Sequence, residues 1–282
     1  DLGNDQNICQ GDSVLLDAGA GHTNYLWSTG DTTQTIYASA TGTYNVTVGN
    51  GTPVSNSNSL SFDGQDDYID NGSYILNLPQ TYTLIGYLKF GTLSLPSTHA
   101  YIYSQATNGE IQMNQTSAGE VSSWTKLSNG GSVSVSIPIS DTTDWHLVAC
   151  VFDNINKVVK IYYDGIVNQT IIPNGVNIQN FSGPSIFARQ SNVNANFWMG
   201  QIDNYSIWNK ALNQSEIQNY MSCPPTGNEA GLVGYWNFNE GSGATVTDLT
   251  NNGNNGTING ASWSTQTPNQ YSNNCIATDS LV

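Results

Sequence analysis

The sequence predicts an all-β protein of two sandwich units, a small one followed by a large one. Three observations carry that expectation. Asn, Ser, Thr and Gly dominate the 282 residues while Lys and Glu are scarce, which suits short strands and tight turns and disfavours long surface helices. Strand-length apolar runs recur along the chain, spaced by about ten residues in its opening part. Asn-Gly or Asp-Gly steps at Asp63, Asn71, Asn108, Asn129, Asp164 and Asn174 supply the positive-φ positions that hairpins need.

The composition also bounds function. Hydrophobic residues make up 38%, with aromatics at 10%, enough for a packed core rather than disorder. Lys+Arg is 6 against Asp+Glu 21, a net charge of −15, so nucleic-acid and anionic-membrane partners are excluded: that binding depends on Lys/Arg neutralising phosphates. No stretch approaches the roughly 18 apolar residues of a membrane span, and the opening Asp-Leu-Gly-Asn lacks the basic-then-apolar pattern of a signal peptide. Neither feature is expected, and the composition fits a secreted or cell-surface protein.

Residues 1–50 read as the small unit. Runs at 13–18, 25–28, 35–38 and 43–48 form four short strands separated by Gly-rich turns, with Trp27 as the core plug. Residues 51–59 are Gly/Asn/Ser-rich and read as a linker. The large unit, 60–275, alternates turns with strand-like runs at 59–62, 82–88, 100–103, 133–137, 146–152, 158–163, 185–187 and 200–208. Only 213–221 reads as helix, with Ser215 as a possible cap ahead of Glu216. Of the four cysteines, Cys150 sits in an apolar run and behaves as a small hydrophobe, whereas Cys223 and Cys275 lie in polar loops and are paired here. Cys9 has no partner in its neighbourhood.

Cys-x-Gly-Asp-Ser-Val-x-Leu from Cys9, Tyr-Leu-Trp-Ser-Thr-Gly from Tyr25 and Gly-Thr-Tyr-Asn-Val-Thr-Val from Gly42 resemble the Ig-like or PKD-like repeats of large secreted Bacteroidetes proteins. Such repeats usually keep a second cysteine near the last strand, and this one does not. Further on, four motifs follow in order: Leu-Ser-Phe-Asp-Gly-Gln-Asp-Asp-Tyr-Ile from Leu60, Trp-His-Leu-Val from Trp145, Val-Val-Lys-Ile-Tyr-Tyr-Asp-Gly from Val158, and Gly-Gln-Ile-Asp-Asn-Tyr-Ser-Ile-Trp-Asn-Lys-Ala-Leu from Gly200. Together they resemble the laminin G-like, concanavalin A-type jelly roll.

One segment departs from that pattern. Residues 231–263, opening Gly-Leu-Val-Gly-Tyr-Trp-Asn-Phe-Asn-Glu-Gly, resemble the family's first strands yet follow its last. Either a second jelly roll begins there and is cut off, or the first strands have moved to the end of one circularly permuted domain. Permutation is preferred, because a two-strand remnant would expose Tyr235, Trp236 and Phe238. A Cys223–Cys275 bridge would then enclose the transposed segment and remove about 3–4 kcal/mol of chain entropy from the unfolded state.

The resemblance implies a domain that binds rather than one that catalyses. The fold also hosts glycoside hydrolases, which need two carboxylates about 5–10 Å apart. No Glu-x-Asp-x-x-Glu run occurs, Glu110, Glu120, Glu216, Glu229 and Glu240 are scattered, and His22, His99 and His146 are isolated. Members of this fold often hold a calcium through the aspartate of the Ile-Asp step, matched here by Asp203. Asp63, Asp66, Asp67 and Asp70 crowd one turn, and calcium takes such oxygens. A structural calcium on Asp203 and Asp63 is therefore expected, with Asp66 and Asn239 as further candidates; the alternative is Asx turns and solvated carboxylates.

Trp27, Trp145, Trp208 and Trp236 occupy positions these families use for packing. Trp124 lies in the polar stretch Val-Ser-Ser-Trp-Thr-Lys outside the motifs. With Arg189, Asn194, Asn196 and Trp198 it could line a glycan-binding face, or it could anchor a loop. The expected function is a non-catalytic adhesion or glycan-binding module joined to other domains of one long extracellular chain. Two alternatives stand beside it: a carbohydrate-binding accessory module of a secreted polysaccharide-degrading enzyme or protease, and a spacer without ligand.

Overall fold

The computed structural model describes residues 12–21, 24–29, 31, 33–40, 42, 44, 46–49, 56–72, 75–76, 81–95, 98–105, 111–179, 183–190, 195–221 and 223–268. Cys9, His22, Glu110, Asn194 and Cys275 lie outside them. The chain divides into two compact units, one built on residues 1–55 with 222–224 and 269–282, the other on 56–221 and 225–268. Among the described residues, no helix is long and apolar enough to cross a membrane.

The first unit contains β1 (Val14–Asp17), β2 (Asn24–Trp27), β3 (Thr35–Ala38) and β4 (Val46–Gly49). β1 pairs with β3 and β2 with β4, both antiparallel, giving two small sheets. Trp27 is 2% exposed, and its indole N–H is satisfied by the Thr33 carbonyl at 2.8 Å, as a buried indole requires.

The second unit opens with β5 (Ser59–Asp63), β6 (Tyr68–Asp70), β7 (Thr81–Phe90), β8 (His99–Gln105), β9 (Ile111–Thr116), β10 (Glu120–Lys126) and β11 (Ser132–Pro138). It continues through β12 (His146–Asp153), β13 (Val158–Tyr163), β14 (Ile166–Ile171), β15 (Ser185–Phe187) and β16 (Met199–Trp208). Helix α1 (Gln214–Tyr220) is followed by β17 (Leu232–Trp236), β18 (Thr245–Val246), β19 (Gly256–Asn259) and β20 (Ser262–Ser264).

Two antiparallel sheets result. One runs β11-β10-β9-β8-β15-β6-β19-β18; the other runs β14-β13-β12-β7-β16-β5-β20, with β17 also paired to β16. Between them lies the main core, which includes Ile111, Met113 and Val121 from one sheet and Leu84, Val148 and Ile202 from the other. A second apolar layer of Ile85, Tyr87, Leu147, Trp208, Ile217 and Leu232 covers the other face of the β12–β7–β16 sheet beneath α1. That explains why every residue of β12 is buried.

Strand alternation gives the first sheet a different outer face. With Ile111, Met113, Val121, Val133 and Val135 turned inward, Gln112, Asn114, Ser122, Trp124 and Ser134 fall on the opposite side. These polar runs are the strands β9 and β10, which apolar patterning alone does not announce; the same holds for β14, whose residues are nearly all exposed. The helix is capped by Asn213 rather than Ser215: its Oδ1 accepts the Glu216 N–H at 3.0 Å, and the Glu216 carboxylate accepts the Asn213 N–H at 2.8 Å.

The strands of 232–264 belong to these same two sheets. β17 pairs with β16, β19 with β6 and β20 with β5. Trp236 and Phe238 are fully buried, so the segment supplies core rather than surface.

Candidate ligand face and oxygen sites

Trp124 stands on β10 opposite Gln112 of β9 and Ser134 of β11, and is half-buried. It is a strand residue, not a loop anchor. One step along, Ser122 lies opposite Asn114, whose Nδ2 donates to Gln112 Oε1 at 3.1 Å while its own Oδ1 is buried without a partner. Gln112, Asn114 and Ser122 are themselves buried, so the part of this face open to solvent is the half-buried Trp124 indole beside the exposed Ser134, the kind of aromatic platform on which an apolar sugar face stacks.

Arg189 follows β15. Its guanidinium lies 4.0 Å from the centroid of the Tyr68 ring, and Tyr68 shares the outer face of β6 because Ile69 points into the core. Its carbonyl accepts the Ser104 hydroxyl at 2.9 Å, fixing the chain to β8. Asn196 sits at φ 58°, donates from Nδ2 to Gln190 Oε1 at 2.8 Å, and accepts the Tyr101 N–H at 3.0 Å through its carbonyl. β10 and β15 are three strand steps apart, about 14 Å, so one sugar ring cannot touch both Trp124 and Arg189.

Trp198 does not join this face. It is fully buried, packed edge-on against Phe90 at 6.0 Å and tilted against Phe62 at 6.2 Å, and its indole N–H donates to Gln115 Oε1 at 3.1 Å. The reason is registry: Met199 opens β16 with its side chain partly exposed, which turns its neighbour inward. Gln112 and Asn114 fall on the outer side of β9, signalled in the sequence only by the alternation with Ile111 and Met113, but both are buried and so do not replace Trp198 as exposed contacts.

The expected calcium ligands separate into two groups. Asp63 is paired with Met199 and Leu60 with Ile202, so Asp63 and Asp203 lie at opposite ends of β5, about 13 Å apart along the strand. They cannot share one ion. Asp63, Asp66 and Asp67 bring ligand atoms within 4.8 Å of one another. In that turn Asp67 accepts the Asp63 N–H at 2.8 Å, and Asp63 accepts the Gln65 N–H at 2.8 Å. Burial raises the Asp67 carboxyl above its ordinary value, and the Asp63 and Asp66 charges add to this against the hydrogen bond from Asp63. Gly260, at φ +80°, packs on Asp67, and a Cβ there would collide with its Oδ1.

Asp203 is fully buried and accepts Asn56 Nδ2 at 2.7 Å, the Asn204 N–H at 2.7 Å and Asn204 Nδ2 at 3.1 Å. Among the described residues no cation pairs with it, so burial drives its carboxyl well above the usual range, more than those hydrogen bonds lower it. Asn56 Oδ1 is buried beside it without a partner. A buried carboxylate next to an orphaned amide oxygen fits a hard cation. Asn239 adjoins this group indirectly: its Oδ1 accepts the Ser57 and Asn58 N–H groups at 2.8 and 3.2 Å.

The described glutamates are placed by local structure: Glu120 accepts the Ser136 hydroxyl, Glu216 caps α1, Glu229 accepts the Thr226 N–H, and Glu240 accepts the Thr247 N–H. His146 is held by Asp164 at 2.7 Å and Asp141 at 3.4 Å.

Residues 63–218 match the family model of the concanavalin A-like lectin/glucanases superfamily. The chain belongs to that superfamily. No curated protein matches it by sequence. Among solved structures, the concanavalin A-like fold is shared with a protein of Bacteroides ovatus described as carbohydrate-binding, at 15% identity and a TM-score of 0.61, over 93% of this chain and 72% of that one. A heptameric SAP-like pentraxin from Limulus polyphemus matches at 16% identity and a TM-score of 0.53, over 78% of this chain and 97% of that one. Within the concanavalin A-like sandwich of this chain, the family match ends at residue 218, before β17–β20.

Proposed function

We propose that this chain is a non-catalytic glycan-binding or adhesion module of a larger secreted or cell-surface protein, and that it binds an oligosaccharide along the outer face of β9 and β10. The observation that carries this reading is Trp124, half-buried on a polar strand face between Gln112 and Ser134. A shared fold with the Bacteroides ovatus protein described as carbohydrate-binding is consistent with it. Arg189 and Asn196 form the far end of the face, and Asn194 is proposed with them.

The same reading assigns a structural calcium to Asp203 and Asn56, and a disulfide to Cys223 and Cys275; Cys223 is not a free thiol. It takes residues 231–263 as the transposed opening strands of a permuted domain, supported by their pairing with β16, β6 and β5.

A glycan-array screen of the whole chain, with calcium and after chelation, tests the function. Trp124→Ala is expected to remove about 1–3 kcal/mol of binding to any glycan found while leaving the melting temperature nearly unchanged. No glycan bound by the parent, together with a large loss of stability in Trp124→Ala, would favour the spacer reading instead.

A further inference from the structure

We infer that Asn174 is a site of spontaneous deamidation, the Asn-Gly step that, among the described residues, the fold leaves free to react. In this reaction the backbone nitrogen of the following glycine attacks the side-chain amide carbon. A nitrogen–carbon bond forms, the bond to the amide nitrogen breaks, and that nitrogen leaves as ammonia with the glycine N–H proton. Water then opens the cyclic imide at either carbonyl, giving aspartate or isoaspartate and releasing a proton. No oxidant or reductant is involved. The chemistry requires an amide that is not held elsewhere, a glycine N–H that is not already donated, and open space around both.

The described Asn-Gly steps differ in these requirements. Asn71 is buried with Nδ2 on the Asn254 carbonyl, and the Gly72 N–H is donated to Asp70. Asn129 accepts the Gly131 N–H at 3.0 Å, while the Gly130 N–H is donated to the Leu127 carbonyl at 3.0 Å. Asn252 donates to the Val233 carbonyl, Asn255 accepts the Asp248 N–H, and Asn259 donates to the Thr257 carbonyl. In each the side chain is held in one orientation by a hydrogen bond, and at Asn71 and Asn129 the attacking glycine N–H is donated as well.

Asn174 has no such restraint. Both it and Gly175 are exposed, and among the described residues neither the Asn174 amide nor the Gly175 N–H makes a hydrogen bond. A Cβ built on Gly175 would meet nothing within 4 Å. The turn is closed outside the reacting pair, by the Val176 N–H on the Pro173 carbonyl at 3.1 Å. Conversion would be felt locally: Lys157 Nζ donates to the Val176 carbonyl at 2.9 Å and to Asn177 Oδ1 at 2.6 Å, just beyond the reacting bond. Isoaspartate lengthens the backbone by a methylene at that point, and either product adds a negative charge near the ammonium.

The test holds the folded chain in mildly alkaline buffer at physiological temperature and maps peptides over time by mass spectrometry, with fragmentation that separates aspartate from isoaspartate. Asn174 is expected to convert several-fold faster than Asn71, Asn129, Asn252, Asn255 and Asn259. In denaturant that lead should shrink, because the hydrogen bonds protecting the others are gone. Asn174→Gln should abolish conversion at that position and leave the rates of the others unchanged. Conversion of Asn174 no faster than Asn129 or Asn252 in the folded chain would overturn the inference, as would the same order and spread of rates in folded and unfolded protein.

Discussion

The Trp236 ring meets the Phe187 ring edge to face, with centroids 5.4 Å apart and planes at 76°. One residue comes from β17, near the end of the described chain, and the other from β15, in the facing sheet. A residue from the late segment thus closes the space between two sheets whose other strands nearly all precede it. Removing everything after Ser222 is therefore expected to abolish cooperative unfolding of the second unit, and Trp236→Ala alone to cost about 3–5 kcal/mol. Calorimetry of both variants checks this, and a truncated chain that melts like the parent would contradict it.

Trp198→Ala should destabilise by a similar amount, roughly 3–5 kcal/mol, since the indole fills a site walled by Phe62 and Phe90 and leaves Gln115 without its donor. Denaturant titration with unchanged slope would measure it. A neutral change in stability would mean that Trp198 is not a core residue.

At Asp203 the sign of the pH dependence is opposite to that of a paired carboxylate. Its folded-state pKa is raised, so between the ordinary carboxylate value near 4 and that raised value the folded state binds the extra proton. Without calcium, this group's contribution therefore falls as pH rises through that window. Asp203→Asn should remove the slope and raise the melting temperature in chelator. Added calcium should stabilise the parent by mass action and leave Asp203→Asn unmoved. Thermal shifts with and without calcium decide it; a parent indifferent to calcium rejects the metal.

His146 gives a second pH signature. Burial alone would lower its pKa, but the hydrogen bond and charge of Asp164, and then Asp141, raise it overall. Asp141 is held below the ordinary carboxylate range by the Asp144 and Thr143 N–H groups and by His146, against its own burial. Tyr163 stacks on the imidazole with centroids 4.6 Å apart. Stability from charged His146 is complete below about pH 6.5 and is lost as pH rises through the raised value. Stability from Asp141 is present above about pH 4 and is lost as pH falls through its depressed value. His146→Gln should flatten the upper limb in a series of melts from pH 5 to 9, and an unchanged limb would show that the clamp contributes nothing.

Much of the fold was legible in the linear chain. Apolar runs mark β7 and β12, because burial on both faces makes a strand read as a mostly hydrophobic stretch, whereas β13 and β16 carry polar residues among their buried ones. Trp27, Trp208, Trp236 and Cys150 were recognisable as core from their neighbours, and burial pushes the Cys150 thiol up to about 12. The spacing marks the helix but not its cap, since Asn213 and Ser215 are equally good cap residues and only the backbone decides which is extended.

Composition and period therefore determine the class of this protein: all-β and acidic, with no long helix among the described residues. Tertiary structure decided which residues meet. Asp63 and Asp203 look like partners in sequence and are held apart by the β5–β16 register, whereas Asn56 and Asp203 are 147 residues apart and share a hydrogen bond. Trp124 and Trp198 are both offered by the sequence as ligand-face residues, yet one stands on the outer face of β10 and the other fills the core. The physical reason is that strand periodicity fixes only which side chains alternate. Which face is buried, and what lies opposite, depends on pairing with strands distant in the chain.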